Sequence, residues 1–145
     1  MKHINVDDFN EKVPLENIGL NKKYYFADNG LRYVNCQIVN KAMGLCLENA
    51  VFLKLDIDGI VPNGKLLLGS KNEIVSEIDF SYKIKNANYL LQVTHTINEA
   101  DYKREITNLK ELPSSAEKQI VYMINITGKE EDAIKYIKAA DFFIA

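Results

Sequence analysis

The sequence predicts an α+β fold: a mainly antiparallel sheet, closed toward a sandwich or half-barrel, with a helix over about 129–141 packed on one face. Residues 74–84 alternate apolar and polar side chains without a break, which is typical of a half-buried antiparallel strand. Turn-forming residues separate several other apolar runs, which indicates roughly six to eight strands in all. Hydrophobic residues make up 47% and charged residues 26% of the 145. This composition is that of a globular protein, and we expect a single domain over residues 1–145.

The first forty residues predict a short helix followed by a hairpin. Within "VDDFNEKV", Asp7 or Asp8 can cap a helix that Pro14 would interrupt. Further on, "KKYYFA" and "LRYVNCQIVN" are rich in residues that favour strands. The Asn29-Gly30 pair between them suits a tight hairpin turn, so we expect these two runs to pair with each other.

The central part of the chain predicts consecutive strands. The run "VFLKLDID" alternates, with Asp56 and Asp58 on its polar side, and "PNG" turns the chain soon afterwards. "KNAN" forms the turn between residues 74–84 and a further strand over 89–97, whose apolar side includes His95. On the strand 74–84, alternation places these residues on one apolar face: Ile74, Ser76, Ile78, Phe80, Tyr82 and Ile84.

The last third of the chain predicts one more strand and the main helix. Residues 99–112 stay open between helix and strand. The helix is favoured because successive spacings of four, three and three residues separate Tyr102, Ile106, Leu109 and Leu112. "QIVYMINI" reads as a strand. In 129–141, the inner stripe of the helix would consist of Ala133, Ile134, Ile137 and either Ala140 or Asp141.

The charge and cysteine content exclude several classes of function. The formal net charge is −2 and no block of basic residues is present, which disfavours duplex nucleic acid as a partner. The N-terminal residues lack the apolar core of a signal peptide, and no apolar run is long enough to span a membrane. Cys36 and Cys46 lie in apolar surroundings outside any redox spacing, as buried free thiols do. We therefore expect a cytoplasmic protein without a membrane segment.

The motif Asp56-x-Asp58-Gly59 is the sharpest chemical candidate. The stretch "VFLKLDIDGIV" resembles the first motif of haloacid-dehalogenase-type phosphatases, in which an apolar strand ends in two aspartates. The resemblance implies Asp56 as nucleophile and Asp58 as general acid/base beside a magnesium ion. Thr127 in "NITGKEED" resembles the threonine of that family's second motif. The sequence departs from the family at Ile60, where the family usually has threonine. Because Asp58-Gly59 are turn-forming residues, the same motif can also be interpreted as the start of a hairpin turn.

Other catalytic and metal-binding patterns are absent from the sequence. The two histidines, His3 and His95, have no partners in a nucleophile or metal motif, and a calcium loop built on Gly59 would begin and end on lysine. The glycines are scattered and form no phosphate-binding loop. We therefore predict no cofactor and favour a protein that is not an enzyme.

The function that the sequence favours is binding to another protein, as in immunity proteins, inhibitors or assembly components. The predicted binding residues are aromatic or basic, because such side chains are enriched at interface cores. They are Tyr24, Tyr25, Phe26, Arg32, Tyr33, Phe142 and Phe143.

Two other kinds of binding stay open at this point. A curved sheet could hold an apolar small molecule on the inner faces of 74–84 and 89–97. The aromatic and basic residues of 22–33 could also stack with single-stranded nucleic acid. Self-association stays open as well.

Overall fold

The computed structural model describes seven strands and three helices. It covers residues 2–8, 22–27, 42–68, 71, 74–95, 106, 108–112, 115–123 and 133–145. The strands are β1 Lys2–Asp8, β2 Lys22–Tyr25, β3 Asn63–Leu68, β4 Ile74–Ile84, β5 Ala87–Thr94, β6 Glu117–Tyr122 and β7 Ile134–Lys138. The helices are α1 Ala42–Ile57, α2 Asn108–Glu111 and α3 Ala139–Ile144.

The strands form one mixed sheet in the order β2-β1-β3-β4-β5-β6-β7. The pairs β1–β2, β3–β4 and β4–β5 are antiparallel, whereas β1–β3, β5–β6 and β6–β7 are parallel. The α+β class is confirmed, and the seven strands in the described part of the chain lie within the six to eight predicted. The prediction of a mainly antiparallel sheet is wrong, because long segments of chain return strands in the same direction at both sides of the antiparallel centre.

Two hydrophobic cores lie on opposite faces of the sheet. On one face, α1 covers the sheet through Leu47, Val51, Phe52 and Leu55, which recur at helical spacing. On the other face, Ile106, Leu109 and Leu112 cover Ile78, Leu90, Ile120 and Ile134. Of the segment 99–112, for which the sequence favours a helix, the structure describes a helical turn at Asn108–Glu111, and Ile106, Leu109 and Leu112 are buried. Residues 99–105 and 107 lie outside the described residues.

The motif Asp56-x-Asp58-Gly59 ends helix α1. The strand predicted for residues 51–58 is wrong: this segment is the second half of α1. Gly59 has φ +77°, its N–H donates to the carbonyl of Asp56 at 3.0 Å, and the N–H of Ile60 donates to the carbonyl of Leu55 at 2.9 Å. These two bonds define a Schellman motif, in which glycine takes the left-handed conformation that other residues adopt only at a cost.

Strand β4 contains a bulge that divides its side chains between the two cores. Its pairing with β3 shifts between Asn63↔Ser81 and Lys65↔Ile78, so β4 has one residue more than β3 there. As a result Phe80 and Tyr82 face α1, whereas Ile78 faces the opposite core. The prediction that Ile78, Phe80 and Tyr82 share one face is wrong for this reason.

The C-terminal segment differs from the helix predicted over about 129–141. Residues 134–138 form β7, and the helix that follows is the shorter α3. Ile134 and Tyr136 pack in one core and Ile137 packs in the other, so β7 is apolar on both faces. The same apolar residues also have the spacing of a helical stripe. Their hydrogen-bonded pairing with β6 shows that they form a strand.

The remaining predictions concern the N-terminal residues, the turn between β4 and β5, and membrane spans. Residues 2–8 are a strand that includes Asp7 and Asp8. Residues 9–13 of the predicted helix and residues 28–40 of the predicted hairpin lie outside the described residues. The turn between β4 and β5 is Lys85–Asn86, as predicted. Within the described ranges, we find no helix with the length and apolar character needed to cross a membrane.

Candidate functional site

A depression opens between β2, α1 and the start of β4. Its volume is about 440 Å³. It is lined by Lys23, Tyr24, Tyr25, Phe26, Leu45, Glu48, Asn49, Glu77 and Asp79. Tyr24 and Leu45 are 61% and 54% exposed at its rim. A concave surface that combines exposed apolar side chains with several charged groups is typical of a recognition site.

Lys23 lies at the centre of this depression and contacts three carboxylates. Its Nζ is 3.0 Å from Glu48 Oε1, 2.7 Å from Glu77 Oε1 and 3.4 Å from Asp79 Oδ1. Glu48 also accepts a 2.7 Å hydrogen bond from the Tyr25 hydroxyl. One positive and three negative charges give this group, the Lys23 cluster, a net charge of −2.

The surroundings of the cluster keep Lys23 and Tyr25 protonated. Burial by itself lowers the pKa of Lys23, but the negative charges of Asp79, Glu48 and Glu77 outweigh it and raise this pKa above its ordinary value. Burial, followed by the charge of Glu48, raises the pKa of Tyr25 as well. At neutral pH Lys23 is therefore a cation and Tyr25 a neutral hydroxyl. Neither group is suited to act as a general base or nucleophile.

Asn49 fixes the end of β2 against α1. Its side chain is 2% exposed. The amide oxygen accepts a 2.9 Å bond from the N–H of Phe26, and the amide nitrogen donates a 3.0 Å bond to the carbonyl of the same residue. Through Asn49, helix α1 forms the two backbone hydrogen bonds that a neighbouring strand would otherwise form with Phe26. These bonds fix the position of Phe26 in the lining of the depression.

At the β4 bulge, the side chains of Gln92 and Asp79 bind backbone groups, as Asn49 does at the end of β2. Gln92 accepts a 2.7 Å bond from the N–H of Asp79 and donates a 3.0 Å bond to the carbonyl of Glu77. The second carboxylate oxygen of Asp79 accepts a 2.9 Å bond from the N–H of Val93. These bonds satisfy backbone groups where the regular β4–β5 ladder ends, and the bond from Val93 fixes the Asp79 carboxylate, whose other oxygen faces Lys23.

Aromatic packing connects the depression to the core. The Tyr25 ring stacks on Phe52 with centroids 4.4 Å apart and an interplanar angle of 13°. It also lies 5.7 Å from the Phe80 ring. Tyr25 is 5% exposed, and its contribution to the site is the hydrogen bond that its hydroxyl donates to Glu48.

The structure brings together some of the residues predicted to bind a partner. Tyr24, Tyr25 and Phe26 line the depression. Phe142 packs against the core that α1 covers, and Phe143 is 36% exposed on α3. Arg32 and Tyr33 lie outside the described residues.

Asp56 and Asp58, the candidate catalytic pair, are each paired with a lysine at the end of α1. Asp56 Oδ2 is 2.5 Å from Lys2 Nζ, and Asp58 Oδ1 is 3.2 Å from Lys54 Nζ. The phosphatase resemblance required a strand ending in two aspartates, and this segment is helical. Thr127, the second residue of that resemblance, lies outside the described residues.

A second depression, of about 360 Å³, lies beside the Lys2–Asp56 pair. It is lined by Lys2, His3, Ile4, Phe52, Asp56, Ile60, Val61 and Pro62. His3 is exposed, and its ring lies 5.8 Å from that of Tyr24. Among the residues that the structure describes, no three His, Cys, Asp or Glu side chains are arranged to hold a metal ion.

The faces proposed for an apolar ligand are occupied by the two cores. Phe80 and Leu91 are fully buried in the core that α1 covers. Ile78 and Leu90 are buried in the core on the opposite face, beside Leu109. These four buried residues of β4 and β5 thus supply packing. The side chains of residues 74–76 and residues 96–97 lie outside what the structure describes.

Comparison with known proteins returns no match: no family model, curated protein or solved structure resembles this chain.

Sequence reasoning missed the acidic half of the site. Glu48, Glu77 and Asp79 come from a helix and a bulged strand that are distant in sequence from Lys23. The alternation in β4 did place Glu77 and Asp79 on its polar face, which was the available signal. Their convergence on a lysine of β2 depends on the sheet order, which no local pattern encodes.

Proposed function

We propose that this chain is a non-enzymatic protein-binding module and that the depression between β2, α1 and β4 is its binding surface. The observation that carries this proposal is the combination of exposed Tyr24 and Leu45 at the rim with a charged floor. Aromatic side chains are enriched in the cores of protein interfaces, and tyrosine is among the residues that contribute most to binding energy there. Surrounding apolar contacts such as that of Leu45 exclude water from the interface.

The fixed geometry of the depression supports the proposal. Asn49 and Gln92 hold its walls through paired hydrogen bonds, so little side-chain and backbone freedom would be lost on binding. The protonation of Lys23 and Tyr25 favours recognition over proton transfer.

The test is reconstitution of a defined complex. Proteins captured from an extract of the source cells are identified, produced separately and mixed with the purified chain. Light scattering coupled to size exclusion then measures the mass of the complex, and calorimetry measures its affinity. We expect a stoichiometric complex that Leu45→Glu weakens by about tenfold or more, because a charge would be buried at the rim.

The matched control is Ile84→Glu. Ile84 is 40% exposed at the end of β4, on a surface that does not line the depression. Circular dichroism establishes that both variants fold. If no captured protein re-forms a complex, or if Leu45→Glu and Ile84→Glu weaken it equally, the proposal is wrong.

A further inference from the structure

We infer that the partner presents an arginine side chain, flanked by apolar residues, to the depression that contains the Lys23 cluster. This inference rests on the proposed function and adds the chemistry of the partner. It follows from the charge of the depression, the depth of each carboxylate and the nature of the rim.

The charge of the depression favours a cationic occupant. Among the described residues that line the depression, Lys23 is the cation beside Glu48, Glu77 and Asp79, so these four side chains sum to a net charge of −2. An excess of one sign of charge in a cleft attracts groups of the opposite sign and raises their rate of association. The same charge repels the phosphates of single-stranded nucleic acid, although Tyr24 offers a ring on which a base could stack.

The three carboxylates lie at different depths. The Glu48 and Asp79 side chains are 15% exposed and form the floor. The Glu77 side chain is 43% exposed and therefore forms the accessible edge of the cluster. A cation that enters from solvent would meet Glu77 first, while Lys23 keeps its contacts with the floor.

The rim favours arginine over other cations. Tyr24 is 61% exposed, and a guanidinium can stack on its ring while donating hydrogen bonds to a carboxylate. Leu45, which is 54% exposed, offers an apolar contact to the neighbouring residues of the partner. A guanidinium is also more weakly hydrated than an ammonium, so it costs less to bring into a half-enclosed site.

The test uses two peptides that differ in one charge. One is acetyl-Gly-Leu-Arg-Leu-Gly-amide, and the other has citrulline in place of arginine, which keeps the shape and removes the charge. Each is titrated into the isotopically labelled chain, and amide chemical shifts report the site and the dissociation constant. We expect the arginine peptide to shift the signals of Tyr24, Phe26 and Leu45. The citrulline peptide should bind about tenfold more weakly.

Two variants locate the contact. Glu77→Gln should weaken binding of the arginine peptide by about three- to tenfold. Glu117→Gln makes the same chemical change at an exposed glutamate at the start of β6 and should leave the affinity unchanged. Added salt should weaken binding to the wild type more than binding to Glu77→Gln.

Several outcomes would overturn the inference. Equal binding of the two peptides shows that charge does not select the partner, while the proposed protein-binding function stands. Absence of shifts at Tyr24, Phe26 and Leu45 with the arginine peptide also overturns the inference, and the reconstitution experiment then decides the proposed function by itself. A short poly-deoxythymidine strand that shifts the same signals would replace the arginine-bearing protein with a nucleic acid.

Discussion

Two lysines of the paired strands β1 and β2 reach the same helix, one at each depression. Lys23 contacts Glu48 in the first half of α1, and Lys2 contacts Asp56 near its C-terminal end. The side chains of the first pair are 22% and 15% exposed, whereas those of the second are 53% and 37% exposed. The two contacts look alike as ion pairs, but water screens only the second one effectively.

The comparison shows that the surroundings determine what an ion pair contributes. Lys23 is surrounded by three carboxylates and cannot be removed without leaving uncompensated negative charge in a half-buried space. Water can replace Lys2 at Asp56 at little cost. The following predictions test this difference, in order of decreasing effect.

The largest effect is expected from Lys23→Met. The variant keeps most of the side-chain volume but removes the charge that Glu48, Glu77 and Asp79 share. We expect the free energy of unfolding at pH 7 to fall by about 3 kcal/mol, because the partly buried carboxylates lose the cation that they share. Urea denaturation measures this value.

A variant that keeps the charge separates charge from packing. Lys23→Arg retains a cation beside Glu48, Glu77 and Asp79, so it should lose clearly less stability than Lys23→Met. An equal loss in the two variants would show that the aliphatic stem, and not the charge, is responsible.

Alkaline pH should destabilise the wild type through the same cluster. The pKa values of Lys23 and Tyr25 are raised in the folded protein, so the folded state holds their protons more tightly than the unfolded state does. Their contribution is complete below pH of about 10, the ordinary range of both groups, and is lost as pH rises above it, by up to about 1.4 kcal/mol per pH unit for each group.

Tyr82 has a smaller effect of the same sign, since burial, followed by the charges of Tyr89 and Glu117, raises its pKa to about 12. Thermal unfolding between pH 8 and pH 11 measures the slope. In the double variant Lys23→Met and Tyr25→Phe this slope should be clearly reduced. An unchanged slope would contradict the assignment to the Lys23 cluster.

An intermediate effect is expected from Asn49→Ala. The substitution leaves the N–H and carbonyl of Phe26 without their partner and opens a small cavity beside β2. We expect a loss of about 2 kcal/mol. Hydrogen exchange provides a second readout, because the amide of Phe26 should lose protection while amides of β5 and β6 keep theirs; equal loss in all strands would show only global destabilisation.

The smallest effect is expected from Lys2→Ala. The Lys2–Asp56 pair is exposed, so its contribution should be below about 0.5 kcal/mol and should vanish in high salt. A double-mutant cycle with Asp56→Ala isolates the pairwise energy. A coupling as large as that between Lys23 and Glu48 would show that exposure does not separate the two contacts.

Local patterns predicted the antiparallel centre of the fold. The strands β4 and β5, and the turn Lys85–Asn86 between them, follow from alternation and turn chemistry that act over a few residues. The stripe of Ile106, Leu109 and Leu112 was also visible in the sequence, because helical spacing is a local property.

The wrong predictions of secondary structure occurred where the same apolar residues fit both the two-residue period of a strand and the 3.6-residue period of a helix. Val51, Leu53, Leu55 and Ile57 alternate like a strand, while Leu47, Val51, Phe52 and Leu55 follow a helical stripe, and α1 is apolar on more than one side. In β7 the opposite error occurred. Ile134 and Ile137 have the spacing of a helix, but they lie in a strand and pack in different cores. Tertiary contacts decide such cases, and they also assemble the Lys23 cluster from three separate segments.

The order of the strands has a consequence for how the chain folds. Strands β3, β4 and β5 pair with their neighbours in sequence, whereas β1 pairs with β3 only after the intervening β2 and α1 have been accommodated. Closing a long loop costs entropy before any contact compensates for it. We therefore expect the three central strands to be formed in the transition state of folding. Substitutions in β4 and β5 should slow folding, and substitutions in β1 and β7 should chiefly speed unfolding.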